Sequence, residues 1–313
     1  MSTNATLATA IMPARNAERA HRLRLAFGCA LAIALIVGLL VYGWDYYTLD
    51  SASRPFSPKH SILRPSSSIG INLGFLGFGM FLAIFLYPLR KRWAWLARQG
   101  SSRHWLDIHV LLGLSAPFII ALHSSFKFHG FAGIAFWIMV AVSLSGIIGR
   151  YLYAQIPRSL NTAELSLKEL QDVRERMSQH MAEQRLLKES DLRALMQLPT
   201  AESVEHLFIV NALVYMMFLD ATRTFRIARL RRHALSFGER LFTLGGLFPT
   251  RHTELERAIS MAREEAAMAK RVLFLSRSKQ VFNLWHVIHK PFSYSFALLA
   301  LIHIGVVFMM GFF

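Results

Sequence analysis

Four histidines fall into two equally spaced pairs, His109 with His123 and His289 with His303. A tryptophan precedes each pair by four residues, Trp105 in the first copy and Trp285 in the second. The sequence between them is mostly apolar, containing LLGLSAPFIIAL in one copy and PFSYSFALLALI in the other. Neutral imidazole is a common metal ligand, and ionisable residues at membrane depth are costly and usually functional. On a helix, fourteen residues is close to four turns, which leaves two side chains about 40° apart and roughly 21 Å apart along the axis. Two helices carrying matched pairs can therefore hold two metal centres, one near each membrane face. The competing reading is of satisfied polar groups inside a helix bundle. It suits one lone histidine better than four in a repeated pattern.

Composition sets the context for these pairs. Of 313 residues, 54% are hydrophobic and the formal net charge is +16, which fits a membrane protein with basic cytoplasmic segments. No recognisable nucleic-acid module accompanies the charge. Cys29 is the single cysteine, so an internal disulfide, a CxxCH haem attachment and a four-cysteine iron–sulfur site are excluded. Any redox centre must be held by histidine.

The elements that would position the histidines can be read in order. Residues 1–24 form a basic cytoplasmic amino terminus, with Arg15, Arg19, Arg22 and Arg24 ahead of an apolar run at 25–42. Tyr42, Trp44, Tyr46 and Tyr47 follow that run where a signal peptide would need small residues, so it reads as an uncleaved first span. A Ser/Pro-rich connection covers 44–68. A second span at 70–88 carries Gly70, Gly74, Gly77 and Gly79 as a thin packing face. The third span, 105–126, holds the first histidine pair, and the fourth, 131–153, contains Ser145 and Gly146 and ends at Arg150. Spans one to four thus occupy 25–156.

Residues 157–281 break the pattern and read as a helical cytoplasmic insertion. A possible capping box, Ser166 with Glu169, opens one helix whose apolar positions include Leu170, Val173, Met177 and Met181. A second helix is expected over 203–232 and a basic one over 253–278. The apolar stretch 207–219 is 13 residues long and contains Asn211. That length favours a buried or interfacial helix, with a sixth span as the alternative. The fifth span, 282–313, carries the second pair. The expected fold is an all-α integral membrane bundle of about five spans.

Charge bias puts the amino end inside a bacterial cytoplasmic membrane and the carboxyl end outside. Spans three and five then run in the same direction. His109 lies level with His289, and His123 with His303. His286 competes with His289, but its 17-residue separation from His303 misaligns them by about 100°. Two imidazoles per iron leave no open coordination position, which suits electron transfer by haem. Gly113, one turn past His109, would lie under a haem edge. Arg103 and Lys290 could pair with haem propionates or serve as surface anchors. Trp105 and Trp285 read as interfacial anchors, and Pro117 and Pro291 as residues that shape their helices.

Two H-x13-H helices separated by one span resemble the dihaem core of respiratory cytochromes b, ferric-reductase-like transmembrane proteins and NADPH oxidases. The resemblance covers about 70–153 and 282–313. It implies that His109, His123, His289 and His303 are axial ligands of two haems b. No G-x-G-x-x-G follows a strand-like run, and the Pro-Glu-Trp-Tyr run of the bc-complex cytochromes is missing. The expectation is an electron-transfer subunit working between a quinol or cytoplasmic donor and a redox partner protein across the membrane. The alternatives are a ferric, other metal or oxygen reductase acting at the outer haem, with Lys127 and His129 near its substrate, and a non-redox membrane scaffold. Membrane lipid is an expected partner in each case; quinone is a candidate in the first.

Overall fold

A computed structural model of the chain describes residues 3–156, 198–199, 203–204, 206–234, 243, 246–250 and 253–311. These residues contain helices and no strand. The helices are α1 (Thr3–Tyr42), α2 (Trp44–Tyr47), α3 (His60–Leu63), α4 (Ser68–Arg90), α5 (Ala94–Ala97), α6 (Ser102–His123), α7 (Gly130–Gln155), α8 (Ile209–Ala234), α9 (Thr253–Leu273) and α10 (Leu275–Met309), with a 3-10 turn at Arg54–Phe56.

Five helical stretches among the described residues are long and apolar enough to cross a membrane: Asn16–Tyr42, His60–Arg90, Ser102–His123, Gly130–Gln155 and Leu275–Met309. Their outward side chains support this. Phe27, Leu31 and Leu298 are each at least 60% exposed, an arrangement that lipid tolerates and water does not. The chain is an all-α integral membrane protein in contact with lipid.

Several bounds differ from the sequence reading. The basic amino-terminal segment, for which the sequence reading gave no secondary structure, is helical from Thr3 onward, because Ala, Leu, Arg and Glu there are all helix formers. α10 begins at Leu275 rather than 282, since the polar run Ser276–Gln280 continues the helix. It ends at Met309, with Gly311 at φ +68° just beyond, a left-handed stop that favours glycine. α8 begins at Ile209 rather than 203, and α9 ends at Leu273 rather than 278. The helix expected around 166–181 lies outside the described residues.

The chain forms two compact units, Met1–Arg150 with Val287–Phe313, and Tyr151–His286. In the first, α4 and α6 pack closely and antiparallel. A Cβ at Gly77 would come within 2.3 Å of Ile120 Cδ1, so glycine there permits the close approach. Leu73, Met80, Ala116, Ile119, Leu122, Phe136 and Met139 form the core, and Phe296 of α10 packs on it.

Two buried arginines fasten the ends of the α4–α6 pair. Arg90 donates to Ser102 Oγ (2.7 Å), Ala97 O (2.9 Å) and Gly100 O (2.7 Å), closing the turn between the helices. At the opposite end Arg54 donates to Leu49 O (3.0 Å), Tyr47 O (2.9 Å) and Ser125 O (2.5 Å). Ser125 and Phe126 there have φ of 50° and 59°, a left-handed pair that costs energy without glycine. Ser125 Oγ also donates to Leu63 O at 2.7 Å. This bracing ends α6 immediately after His123.

In the second unit, Val204, Ala212, Met216 and Phe274 form a small core. Lys270 is 2% exposed and bonds Asp220 at 2.5 Å. Burial lowers its affinity for a proton, and Asp220 partly restores it. Arg231 grips Glu256 with two bonds, of 2.8 and 2.6 Å, and donates to Gly246 O and Leu247 O.

Candidate metal centres

α6 brings His109 and His123 into contact with two carbonyls of α4. The His109 Nδ1 lies 3.1 Å from Ile84 O, and the His123 Nδ1 lies 2.7 Å from Gly70 O. Those acceptors are themselves fourteen residues apart, so the histidine spacing is matched on the antiparallel neighbour. Sequence explains why the Ile84 carbonyl is available. Its helical donor would be residue 88, and Pro88 has no N–H. The ring of His123 lies on Gly74, where a Cβ would come within 2.8 Å of its Cε1.

Pro117 plays the same part within α6. It leaves the Gly113 carbonyl without a helical donor, and Ser143 Oγ of α7 donates to that carbonyl at 2.7 Å. Arg150 pairs with Asp107 at 2.5 Å. Together these contacts fix an antiparallel register in which Ser145 of α7 lies opposite Leu111.

His289 of α10 is tied to that level. Its Nδ1 lies 2.7 Å from Ser145 Oγ. Val142 O, 2.8 Å away, is an acceptor for the Ser145 hydroxyl hydrogen, and we assign the imidazole as the donor in the contact with His289. His289 is therefore level with Leu111, within about 3 Å along the axis of His109. His303 lies fourteen residues past His289 on the same helix, the separation of His123 from His109 on α6, so it falls near the level of His123. Halfway between the levels, Ala116 and Phe296 belong to the same core region, and the Phe81 and Phe296 rings are 5.8 Å apart.

The hydrogen bonds also set the tautomer. A carbonyl can only accept, so His109 and His123 carry the proton on Nδ1, and the assignment of His289 as donor to Ser145 gives it the same tautomer. A neutral ring protonated on Nδ1 presents a lone pair at Nε2. This is the usual way in which a second group orients an imidazole ligand and raises its basicity. Beside this level, a Cβ on Gly113 would meet nothing within 4 Å, so the backbone one turn past His109 borders open space.

The remaining sequence candidates are placed differently. His286 Nδ1 turns back to Phe282 O of its own helix at 3.2 Å, and its ring packs against Phe282 and Trp285. His104 stacks on His21 at 3.7 Å and meets Glu18 at 3.3 Å. Trp105 donates to Gln99 O at 2.6 Å and fastens the turn before α6. Arg103, Lys290, Lys127 and His129 are exposed.

Ser145 as the partner of His289, and Asp107 and Arg54 as fasteners, were not anticipated from sequence. The prolines four residues after Ile84 and Gly113 were the readable signal for the two carbonyl acceptors. No family model matches the chain, and no curated protein or solved structure matches it. The geometry alone supports the functional reading.

Proposed function

We propose that this chain is a membrane cytochrome b subunit that carries electrons across the bilayer through two bis-histidine haems b. His109 and His289 would hold one haem, and His123 and His303 the other. The observation that carries the reading is that three of the four histidines, on α6 and α10, have Nδ1 engaged by a neighbouring helix, with the same fourteen-residue spacing repeated on both helices. These residues fit the group, because they offer neutral nitrogen donors in pairs beside open backbone at Gly113. When bound, each haem iron supplies reversible one-electron chemistry.

The chain's own residues do the rest. The carbonyls of Ile84 and Gly70 and the hydroxyl of Ser145 hold the imidazole rings in orientation, with Nε2 presenting its lone pair to a ligand site. Two imidazoles per iron would leave no position for oxygen, which favours electron transfer over oxygen activation. Met80, Ala116 and Ile119 exclude water between the two levels. The charge bias orients His109 and His289 toward the cytoplasm, with a quinol or cytoplasmic donor and a partner redox protein on opposite sides.

Single and double substitutions test the pairing. His123→Ala and His303→Ala should each remove the same haem, and the double variant should lose no more than either single. Loss of different haems in the two singles would contradict the pairing.

A further inference from the structure

We propose that α8 lies along the surface of an anionic lipid bilayer, with one face immersed among the lipids and the opposite face in the core of its own unit. The helix has two apolar faces where a water-exposed helix needs one. Ala212 and Met216, 0% and 1% exposed, point into the unit's core. On the other side Val210, Val214, Met217, Phe218 and Phe225 are 62%, 60%, 44%, 59% and 66% exposed. They occupy an arc of about 100° and a length of roughly 22 Å. That is short of the hydrocarbon thickness of about 30 Å that a span must match.

α9 provides an internal comparison. It buries Leu255, Ile259, Ala262 and Ala266 and exposes Arg257, Ser260, Arg263 and Glu264, the pattern of a helix facing water. The outward face of α8 was therefore not left apolar by the general composition of the unit.

Charge identifies the occupant. Arg229 and Arg232 are exposed and continue the same side within about 20° of the arc, and Arg226 is exposed nearby. An apolar strip followed by arginines matches acyl chains followed by phosphates, as in helices that lie in the membrane interface. The polar Asn211 borders the strip and is exposed, which the headgroup region accommodates and the bilayer centre does not.

The test uses the full-length protein with Cys29→Ser, in nanodiscs of phosphatidylcholine and phosphatidylglycerol. A nitroxide is attached at Phe218→Cys, with labels at Leu298→Cys as a lipid reference and Arg257→Cys as a water reference. All three positions are exposed. Accessibility to molecular oxygen and to a water-soluble nickel chelate is measured by power saturation. The expected ratio of oxygen to nickel accessibility at position 218 is several-fold above that at position 257 and approaches that at 298. A ratio equal to that at 257 would overturn the proposal. Shielding from both reagents, or spin–spin broadening between copies, would overturn it in favour of another segment of the chain or a second molecule.

Discussion

Replacing Ser145 with alanine removes the acceptor for His289 Nδ1–H and leaves both helices otherwise intact. The bond is 2.7 Å long, and with the serine hydrogen assigned to Val142 O, 2.8 Å away, the imidazole is its donor. A hydrogen bond of this kind contributes about 1 kcal/mol net. Losing it lowers the basicity of the imidazole, so the ferric state loses more than the ferrous state. If the whole effect appears as that difference, the potential of one haem rises by about 40 mV, given that 59 mV corresponds to a tenfold ratio for one electron. Affinity for that haem should fall by about fivefold, the change that about 1 kcal/mol corresponds to. Spectropotentiometric titration of Ser145→Ala in nanodiscs resolves the two centres. The expected result is an upward shift confined to the centre of His109 and His289. Equal shifts of both centres, or a downward shift of that one, would refute the reasoning.

Other outcomes follow from the same geometry. Gly74→Ala should displace His123, since the new Cβ would lie 2.8 Å from Cε1, while Gly79→Ala, with nothing within 4 Å, should be silent; haem content of each variant checks the contrast. Pro88→Ala supplies an N–H that competes for Ile84 O, so it should alter the potential of the His109 centre and leave the His123 centre alone. Arg54→Met leaves three carbonyls without their charged donor and should cost on the order of a few kcal/mol, read as faster proteolysis of the 44–67 connection. Burial would raise the Glu256 carboxyl, but Arg231 and Thr250 bind its charged form and hold it below the ordinary value. Its contribution is therefore fully present above the ordinary glutamate range and is lost progressively as pH falls from there through the lowered native value. Protection factors of α8 and α9 amides, corrected for the intrinsic exchange rate at each pH, should fall on that acidification, and protection that stays constant or rises would contradict the assignment.

The sequence carried the architecture because membrane spans leave a strong signal in length and apolarity, and all five expected spans coincide with helices. Helix ends were less readable. Asn16–Arg24 and Leu275–Gln280 are polar or basic yet helical, since propensity continues where hydropathy stops. Within the site, the spacing of the histidines could be read, but their partners could not. A backbone carbonyl has no sequence identity, and Gly70 and Ile84 are visible as acceptors only once the register of α4 against α6 is known. Pro88 hinted at one of them. Ser145 stood out only as a small polar residue, because its bond to His289 joins positions 144 residues apart. The outward apolar face of α8 was hidden for a related reason. Hydropathy sums both faces of a helix and does not say which one the fold buries.

Haem quantified per polypeptide, together with a reduced-minus-oxidised spectrum of the purified protein, tests the central claim most directly. The account predicts two haems b per chain, both low-spin, and both extracted completely into acidified organic solvent, since a single cysteine offers no CxxCH attachment. A chain purified in folded form that holds no haem, or holds it covalently, would contradict it.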